Sequence, residues 1–355
     1  MSFPYSRALV TGVSGQDGAL LAARLLAAGV TVVGTRRPRS ADDAWRLREL
    51  GIAAHPALAL AALDPADADA CAALVASTRP DAVFHLAGQT RVAESFAEPR
   101  ASLAANGLGT VHLLEALRAH APHARFVLAA SAEIFGAPAQ APQSEATPLG
   151  ARSPYGLSKQ LAHAAVGVWR ASYGLAASSA ILFNHESELR DEAFVTRKLS
   201  RAAAGIALGL QDDVALGNLD ARRDFGYAPD YVAAMAAMAA REHGDDYVLA
   251  TGIDASVRDF ASAAFAAVGI ALDWFGDGAD EVGVEHGSDR VRVRVDAGLF
   301  RPVDAPLLVG DASKARRELG FAPSLDLAAL AKRMVEADLR RLRARQDAER
   351  GMLQG

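Results

Sequence analysis

Cysteine is almost absent from this chain, since Cys71 is the single cysteine among 355 residues. One cysteine excludes a disulfide framework and a zinc site built on cysteine clusters, and it is typical of a protein from a reducing compartment. Cys71 itself is expected to pack as a small buried hydrophobe rather than to act as a reactive thiol. We predict no metal site.

Long apolar runs and an excess of positive charge are also missing. No segment reaches the roughly 18 consecutive apolar residues that favour a membrane span, and residues 1–7 lack the architecture of a signal peptide. The 37 Lys and Arg residues against 42 Asp and Glu residues give a net charge of −5, which provides no basic surface for nucleic acid. We therefore expect a cytoplasmic protein that binds neither nucleic acid nor membrane.

The chain does contain an alternation of short apolar runs with helical patterns. Ala8–Val10 is typical of a strand, 19–28 of a helix and 30–33 of a second strand. Strand, glycine turn, helix and strand form the signature of a βαβ unit, and such units continue to a helix over 155–173. Five or more repeats predict an α/β fold with a doubly wound parallel sheet covered by helices on both faces.

The first turn of this pattern is rich in glycine. Gly12, Gly15 and Gly18 stand between the first strand and the first helix. Glycines let the backbone approach a pyrophosphate closely, and the helix N-terminus offers it N–H groups and the positive end of a dipole. At this position the pattern predicts a Rossmann-like dinucleotide site, to which Gln16 and Asp17 also contribute.

The end of the second strand indicates which dinucleotide binds. NAD-binding proteins usually carry an acidic residue about 20 residues beyond the glycines, whereas residues 34–40 read GTRRPRS. Because guanidinium groups pair with a 2′-phosphate, Arg36 and Arg37 predict NADP as the cofactor. The ends of later strands add further cofactor candidates: Asp64 (which could equally be a helix cap), Leu86 and Ala87.

Tyr155 and Lys159 are four residues apart in a predicted helix, which places both side chains on one face. A nearby ammonium favours the tyrosinate, so we expect Lys159 to lower the pKa of Tyr155 and to make the phenol a usable acid/base. Lys159 can also hydrogen-bond the nicotinamide ribose. A tyrosine and a lysine at this spacing are common by chance, but the pair becomes a specific indication of a catalytic site because it lies downstream of the glycine-rich turn.

Ser131 and Glu133 follow the strand that precedes this helix. If the strand extends through them, its period of two places the hydroxyl and the carboxylate on the same face. Ser131 would then bind the substrate oxygen that is oxidised. Glu133 is the more informative residue because plain hydride transfer requires no second carboxylate; a surface carboxylate or a helix cap is the alternative reading.

These segments together resemble the extended short-chain dehydrogenases that modify nucleotide sugars, and most closely the GDP-mannose 4,6-dehydratases. The resemblance runs from about Arg7 to Ala331. Its most diagnostic segments are NHES over 184–187 and VTRK over 195–198, which general dehydrogenases lack.

The resemblance implies an internal redox dehydration. In the family's scheme, the Tyr155 equivalent takes the O4 proton of the sugar while hydride passes from C4 to NADP+. The Glu133 equivalent then removes the C5 proton as water leaves C6, and hydride returns to C6. The product is a GDP-4-keto-6-deoxy sugar, and the cofactor is regenerated.

Substrate contacts, domains and partners also follow from the resemblance. A homodimer or homotetramer is implied, because the 36–40 loop of such enzymes reaches a neighbouring subunit's cofactor site. We expect an NADP-binding domain over 1–183 and about 222–253, and a smaller mixed α/β nucleotide-sugar domain over about 184–221 and 254–345. The substrate-binding candidates are Asn184, Val195, Lys198, Gly217, Arg223 and Arg301.

Departures from the family pattern leave alternatives open. Arg91 replaces a histidine, Tyr227 stands where histidine is usual, and residues 188–193 replace a more basic run. A related substrate, such as a GDP-manno-heptose of a capsule or lipopolysaccharide pathway, is therefore an alternative. So are a GDP-4-keto-6-deoxy-sugar reductase or epimerase and, outside catalysis, an NADP-binding sensor or scaffold.

The cofactor assignment is testable by replacing Arg36 and Arg37 with alanine together. The variant should bind NADP far more weakly while its affinity for NAD changes little, because only NADP carries the 2′-phosphate. Dissociation constants for both cofactors, measured by fluorescence titration, check this. Equal losses for the two cofactors would contradict the 2′-phosphate argument.

Overall fold

The computed structural model describes residues 3–38, 44–300 and 308–353. Its strands are β1 (Arg7–Thr11), β2 (Thr31–Arg36), β3 (Leu58–Ala62), β4 (Ala82–His85), β5 (Arg125–Ala129), β6 (Ala177–Leu182), β7 (Asn184–Glu186), β8 (Val214–Leu216), β9 (Arg222–Tyr227), β10 (Asp246–Leu249), β11 (Asp254–Ser256), β12 (Leu272–Phe275), β13 (Val282–Glu285) and β14 (Val291–Val295).

The helices lie mainly between these strands. They are α1 (Gln16–Ala27), α2 (Trp45–Glu49), α3 (Ala68–Thr78), α4 (Val92–Ala97), α5 (Pro99–Ser102), a π-helical stretch (Leu103–Leu108), α6 (Gly109–His120), α7 (Pro154–Tyr173), α8 (Val195–Ala207), α9 (Ala228–Met238), α10 (Val257–Ala266), α11 (Ser313–Leu319) and α12 (Leu327–Leu353). Short 3-10 turns cover Ala132–Ile134, Gly278–Asp280 and Ala297–Leu299.

A seven-stranded sheet forms the centre of the fold, in the order β10-β6-β5-β4-β1-β2-β3. All of its pairings are parallel. Its central strands are buried along nearly their whole length, as β4 and β6 are at every residue, because helices cover both faces of a parallel sheet. The predicted fold class, a doubly wound Rossmann-like α/β sheet, is confirmed.

The strand order reverses between β1 and β4. The chain runs from β1 outward through β2 to β3, then returns to the other side of β1 and continues through β4, β5 and β6. The connections that leave the carboxyl ends of β1 and β4 therefore diverge and open a crevice between them. Open α/β sheets bind their ligands at this switch point.

Two smaller sheets lie beside the main one. One has the order β11-β9-β7 and the other β12-β13-β14-β8. The second of these sheets contains the antiparallel β13–β14 hairpin. An apolar cluster that includes Leu199, Phe260 and Met334 joins these sheets to α8, α10 and α12.

The expected division into two domains stays a prediction. Part of the range expected for the sugar-binding domain packs in the same apolar cluster as Leu25 of α1 and Met235 of α9, namely Ala312, Ala315 and Phe321.

Cys71 is buried and unpaired, and burial raises its thiol pKa to about 12, which agrees with its expected role as a small hydrophobe.

A buried ion pair fastens α12 to α8. The Arg197 guanidinium lies 2.7 Å from the Asp338 carboxylate, with both side chains at most 4% exposed, and the Ser200 hydroxyl donates to the same carboxylate at 2.7 Å. Loss of one partner would leave a buried charge without its main counter-charge. Such a loss costs about 3–5 kcal/mol in other proteins.

We expect Asp338→Ala to lower the free energy of unfolding by about 3–5 kcal/mol, because it leaves the Arg197 guanidinium buried without its carboxylate. Urea denaturation measures the change. Glu336→Ala is the matched control on the same helix: its pair with Lys332 is long, at 4.0 Å, and exposed, so no measurable change is expected. Similar losses in both variants would refute the role of the buried pair.

Candidate active site

The glycine-rich turn lies at the switch point and needs two of its glycines for steric reasons. Gly12 has a φ of +72°, and a Cβ there would lie 2.9 Å from the backbone of Ala87. A Cβ on Gly18 would lie 2.3 Å from the Gly12 carbonyl oxygen. The two glycines therefore allow β1, α1 and the 86–88 loop to pack closely together.

The start of α1 suits an anionic group. The helix begins at Gln16 rather than at the expected Ala19, and its N-cap is the exposed Gly15, which provides no capping side chain. The first N–H groups of a helix have no partner within the helix, and its dipole is positive at this end. The turn and the helix start thus fit a dinucleotide pyrophosphate.

Thr11 and His85 hold the 86–88 loop against this turn, and the sequence analysis missed both. The Thr11 hydroxyl oxygen accepts hydrogen bonds from the Leu86 and Ala87 amides, both at 3.1 Å. Because this oxygen already accepts two hydrogen bonds, its own proton points to His85 Nδ1 at 2.9 Å. Burial lowers the pKa of His85 to about 3, so the ring is neutral and this nitrogen can accept. Both residues lie at the ends of strands that are buried at nearly every position. No signal in the sequence therefore distinguished them from core residues.

The predicted ribose and adenine contacts lie at the same edge of the sheet. Thr35 of β2 is in register with Thr11, so Arg36 follows beside Gly12, and the exposed Arg37 comes next. Asp64 is exposed after β3, and its carboxylate accepts the Ala66 amide at 3.0 Å. Contacts of these residues with a cofactor stay predictions.

Helix α7 places Tyr155 and Lys159. Ser153 caps the helix by accepting the Gly156 amide at 3.0 Å, and Pro154 occupies its first turn, a combination that favours helix initiation. Tyr155 and Lys159 are both buried. The Lys159 ammonium donates a 2.7 Å hydrogen bond to the carbonyl of Ala129, the last residue of β5.

The predicted effect of Lys159 on Tyr155 is wrong in this structure. Burial raises the pKa of Tyr155 to about 12, a hydrogen bond with the Ser131 hydroxyl lowers it, and the Glu133 charge raises it again. Burial likewise lowers the pKa of Lys159 to about 8. The tyrosinate gains its local stabilisation from the Ser131 hydrogen bond first and from the charge of Arg190 second.

The expectation that the period of a strand places Ser131 and Glu133 on one face is also wrong. Strand β5 ends at Ala129, and residues 132–134 form a 3-10 turn that Ser131 caps by accepting the Glu133 amide at 3.3 Å. The Ser131 hydroxyl nevertheless hydrogen-bonds the Tyr155 phenol, and the Glu133 carboxylate is near enough for its charge to raise the pKa of that phenol. The turn thus places a hydroxyl at the phenol and carries a carboxylate close by.

Asn106, which the sequence analysis also missed, braces this site. Its side-chain carbonyl accepts the Gln89 amide at 2.9 Å, and its NH2 group donates to the Gln89 carbonyl at 3.1 Å and to the Ser158 hydroxyl at 2.9 Å. It therefore links the loop after β4 to α7. Asn106 lies in the π-helical stretch, and an asparagine within an alanine-rich helical pattern was the available signal.

Gln16 and Asp17, predicted to contact the cofactor, are engaged with β7 and the residue after it. The Gln16 amide donates to the His185 carbonyl at 3.1 Å and accepts the Ser187 hydroxyl at 2.8 Å. Asp17 lies 2.8 Å from His185 Nε2. A cofactor contact for either residue stays a prediction.

His185 is a buried imidazolium. Its Nδ1 lies 2.7 Å from the Phe183 carbonyl and its Nε2 faces the Asp17 carboxylate, so both nitrogens must donate. Burial opposes the charge, but Asp17 outweighs it and raises the pKa of His185. Burial would also raise the pKa of Asp17, yet His185 lowers it to about 2. His185 therefore has a structural role, because it joins β7 to α1 through Asp17.

The structure brings most of the predicted substrate residues to one side of β7. Asn184 pairs with Phe225 of β9, the strand that also carries Arg223. Val195 and Lys198 lie in the first turn of α8, where the Thr196 hydroxyl donates to Glu186 of β7 at 2.6 Å. Their roles as substrate ligands stay predictions.

The remaining two substrate candidates are Gly217 and Arg301. Gly217 follows β8, and a Cβ there would lie 2.7 Å from the Leu299 carbonyl oxygen, so this position suits glycine. Arg301 lies outside the described residues, as do Arg39 and Ser40 of the loop after β2.

Comparison with known proteins assigns the family. A family model described as GDP-mannose 4,6 dehydratase matches residues 9–334. The chain belongs to the GDP-mannose 4,6-dehydratase family. The resemblance inferred from the motifs is thus confirmed, and with it the expectation of a nucleotide-sugar 4,6-dehydratase enzyme.

Several curated relatives align over nearly their full length. A GDP-mannose 4,6-dehydratase of Sinorhizobium fredii is 42% identical over 341 residues, which cover 95% of this chain and 97% of the relative. One from Yersinia enterocolitica is 38% identical, with 94% of each chain covered. The Drosophila melanogaster protein is 40% identical, with coverages of 95% and 87%.

Solved structures share the fold at lower identity. The dTDP-glucose 4,6-dehydratase DesIV of Streptomyces venezuelae, with NAD and TYD bound, superimposes with a TM-score of 0.77 at 23% identity, covering 95% of this chain and 98% of that one. RMD from Pseudomonas aeruginosa, complexed with NADPH, gives a TM-score of 0.74 at 24% identity, covering 95% of this chain and 99% of that one.

Within the described residues, no helix combines the length and apolarity of a membrane span, and no group of three or more His, Cys, Asp or Glu side chains could hold a metal ion.

The Asp17–His185 pair predicts a pH-dependent stability. Because the His185 pKa is raised in the folded state, the histidine's contribution is complete below its ordinary pKa of about 6.5 and is lost as the pH rises through the folded-state value. The free energy of unfolding of the wild type, minus that of Asp17→Asn, should therefore decrease from about pH 6 to about pH 9. Urea titrations at both pH values measure it, and a constant difference would exclude the imidazolium.

Proposed function

We propose that this protein converts GDP-mannose to its GDP-4-keto-6-deoxy product by an internal redox dehydration. The observation that supports the proposal is the buried Tyr155 phenol, which the Ser131 hydroxyl hydrogen-bonds and whose pKa the charge of the nearby Glu133 raises. With a bound nicotinamide to accept hydride, a hydroxyl and a phenol suffice for the oxidation of an alcohol, whereas the added carboxylate supplies the base that an elimination needs.

Each residue of the site has a separate role in this reaction. When bound, the nicotinamide supplies a reversible two-electron hydride acceptor. Tyr155 takes the proton of the sugar O4 while Ser131 hydrogen-bonds the phenol and stabilises its anionic form. The C4 ketone acidifies C5–H, and Glu133 takes that proton and delivers it to the C6 hydroxyl, which leaves as water. Lys159 is positioned to hold the cofactor ribose next to Tyr155.

NADP is the cofactor that we propose. The support is chemical: Arg36 and Arg37 continue from β2 beside the glycine-rich turn, and no acidic residue stands in the segment 34–40. A carboxylate at this position would repel a 2′-phosphate, whereas guanidinium groups pair with it. For the nucleotide sugar we propose Asn184, Val195, Lys198, Gly217, Arg223 and Arg301 as ligands.

The alternatives gain no support from the described site. Arg91, which raised the question of a GDP-manno-heptose, pairs with Glu94 at 2.6 Å and with Asp191 at 3.3 Å. A reductase, an epimerase or an NADP sensor would not need Glu133 at the phenol. Cytoplasmic location, a role in capsule or lipopolysaccharide synthesis, and a homodimer or homotetramer stay predictions from the resemblance.

Incubation with a panel of GDP-sugars tests the function. We expect GDP-mannose to yield a product that is lighter by the mass of one water, without net reduction or oxidation of the cofactor. Mass spectrometry reads the product. A product of unchanged mass would favour an epimerase, one heavier by two hydrogens a reductase, and a heptose substrate turned over faster than mannose would change the sugar assignment.

Glu133→Gln should separate oxidation from elimination. The variant keeps Tyr155 and Ser131, so it should still oxidise C4 in a single turnover and accumulate the near-ultraviolet absorbance of reduced nicotinamide, while product formation falls by about 10²-fold or more. Tyr155→Phe should accumulate no reduced nicotinamide and form no product, although it still binds NADP. The matched control Glu349→Gln, on the exposed end of α12, should behave as wild type. Unaltered product formation by Glu133→Gln would contradict its role as the base.

A further inference from the structure

A strap formed by residues 187–192 passes along the carboxyl edge of the main sheet. The chain leaves β6 and β7 on one side of the switch point and reaches α1 and α2 on the other. The Ser187 hydroxyl donates to Gln16 at the start of α1, and Leu189 is buried with its carbonyl bonded to Arg46 of α2. The strap therefore borders the crevice in which we propose that the dinucleotide lies.

Arg46 ties the strap to the glycine-rich turn. Its Nε donates to the Leu189 carbonyl at 2.6 Å, and its Nη1 donates to the carbonyl of Ser14, inside the turn, at 3.2 Å. The same guanidinium lies 3.7 Å from the Asp191 carboxylate. Because this side chain is only 9% exposed, its rigid fork fixes the distance between the turn and the strap.

Arg91 reaches the strap from the opposite side of the crevice. It follows the loop that leaves β4, and its Nη2 lies 3.3 Å from Asp191 Oδ1. Asp191 Oδ1 also accepts the Ala193 amide at 3.0 Å. Asp191 thus lies between two guanidiniums, one from α2 beyond β1 and one from the loop after β4, and the three side chains together span the crevice.

The back of the strap is fixed independently. Arg197 Nη1 donates to the Glu188 carbonyl at 2.8 Å and to the Arg190 carbonyl at 3.0 Å, and the Glu188 carboxylate pairs with Arg333 of α12 at 2.7 Å. These contacts hold the strap to α8 and α12 whether or not Asp191 is engaged. Loss of the Asp191 contacts would therefore free the side of the strap that faces the crevice, while the strap stays attached to α8 and α12.

The geometry points to a clasp, formed by Arg46, Arg91 and Asp191, that holds the strap across the crevice and slows the departure of the nicotinamide dinucleotide. These are positioning residues, since they act through the strap and the glycine-rich turn. The inference rests on the proposed function, which places the cofactor in this crevice. A reaction that returns its cofactor unchanged does not need to release it between turnovers, so slow dissociation of the cofactor does not lower the turnover rate.

The two halves of the clasp should differ in strength. Arg91 and Asp191 are each nearly half exposed, with side-chain exposures of 46% and 47%, so their pair should be weak and sensitive to salt. The buried Arg46 makes two hydrogen bonds to backbone carbonyls in addition to its ion pair, so its replacement should have the larger effect.

The rate of NADP dissociation tests the clasp. Holoenzyme freed of unbound cofactor is chased with excess unlabelled NADP, and the release of labelled NADP is followed over time. We expect Arg91→Ala and Asp191→Asn each to release NADP about two- to fivefold faster than wild type, and Arg46→Lys about tenfold faster. At saturating NADP the kcat of the first two variants should not change.

Controls distinguish the clasp from a general loosening. Arg118→Ala removes an ion pair of similar length and exposure on α6 and should release NADP at the wild-type rate. The double variant Arg91→Ala/Asp191→Asn should be no faster than the faster single variant, because the two residues share one interaction. Raising the salt to about 0.5 M should speed release by a larger factor from wild type than from Arg91→Ala, because only the wild type has the Arg91–Asp191 pair to screen.

Release at the wild-type rate by both Arg91→Ala and Asp191→Asn, or additive effects in the double variant, would overturn the clasp. So would a wild-type protein that binds no NADP. Failure of the proposed function would look different: GDP-mannose would not lose water, while the retention of NADP and its dependence on Arg91 and Asp191 would persist.

Discussion

Gly12 and Ala87 lie so close together that a single added Cβ would collide with the neighbouring backbone, and the organisation of the site depends on this contact. It brings the turn after β1 against the loop after β4 at the point where the strand order reverses. Thr11 and His85 hold the loop in place through buried hydrogen bonds. The start of α1 is thereby kept open toward the crevice, where the pyrophosphate of a dinucleotide would meet its N–H groups.

The chemistry of the site follows from burial on the other side of this crevice. Tyr155 and Lys159 are almost fully enclosed, which raises the phenol pKa to about 12 and lowers the ammonium pKa to about 8. Burial thus makes both groups reluctant to carry charge, and the immediate neighbours decide which charges form. Ser131 favours the tyrosinate and Glu133 opposes it, so the same short turn adjusts the pKa of the phenol and carries the carboxylate that we propose as the base of the elimination.

Ionic contacts connect the cofactor side of the molecule to the substrate side. The buried Asp17–His185 pair joins α1 to β7, while Arg46, Arg91 and Asp191 join the strap to the turn and to the loop after β4. Both arrangements link elements that are more than 90 residues apart in the chain. The departures from the family pattern at Arg91 and in the 188–193 segment therefore lie at one structural junction, where they contact each other.

The amino-acid sequence by itself determined the fold class, the dinucleotide turn, the Tyr155–Lys159 pair and the family. These features are local: a βαβ unit, a glycine between strand and helix and a four-residue helical spacing are each encoded within a few consecutive residues. Only the tertiary structure decided how the groups interact. Strand β5 ends at Ala129, four residues short of Glu133, and burial is the largest influence on the pKa of the Tyr155 phenol. Asn106, His85 and Arg46 gain their roles from partners far away in the chain, and pKa values depend on burial, which no local pattern of residues specifies.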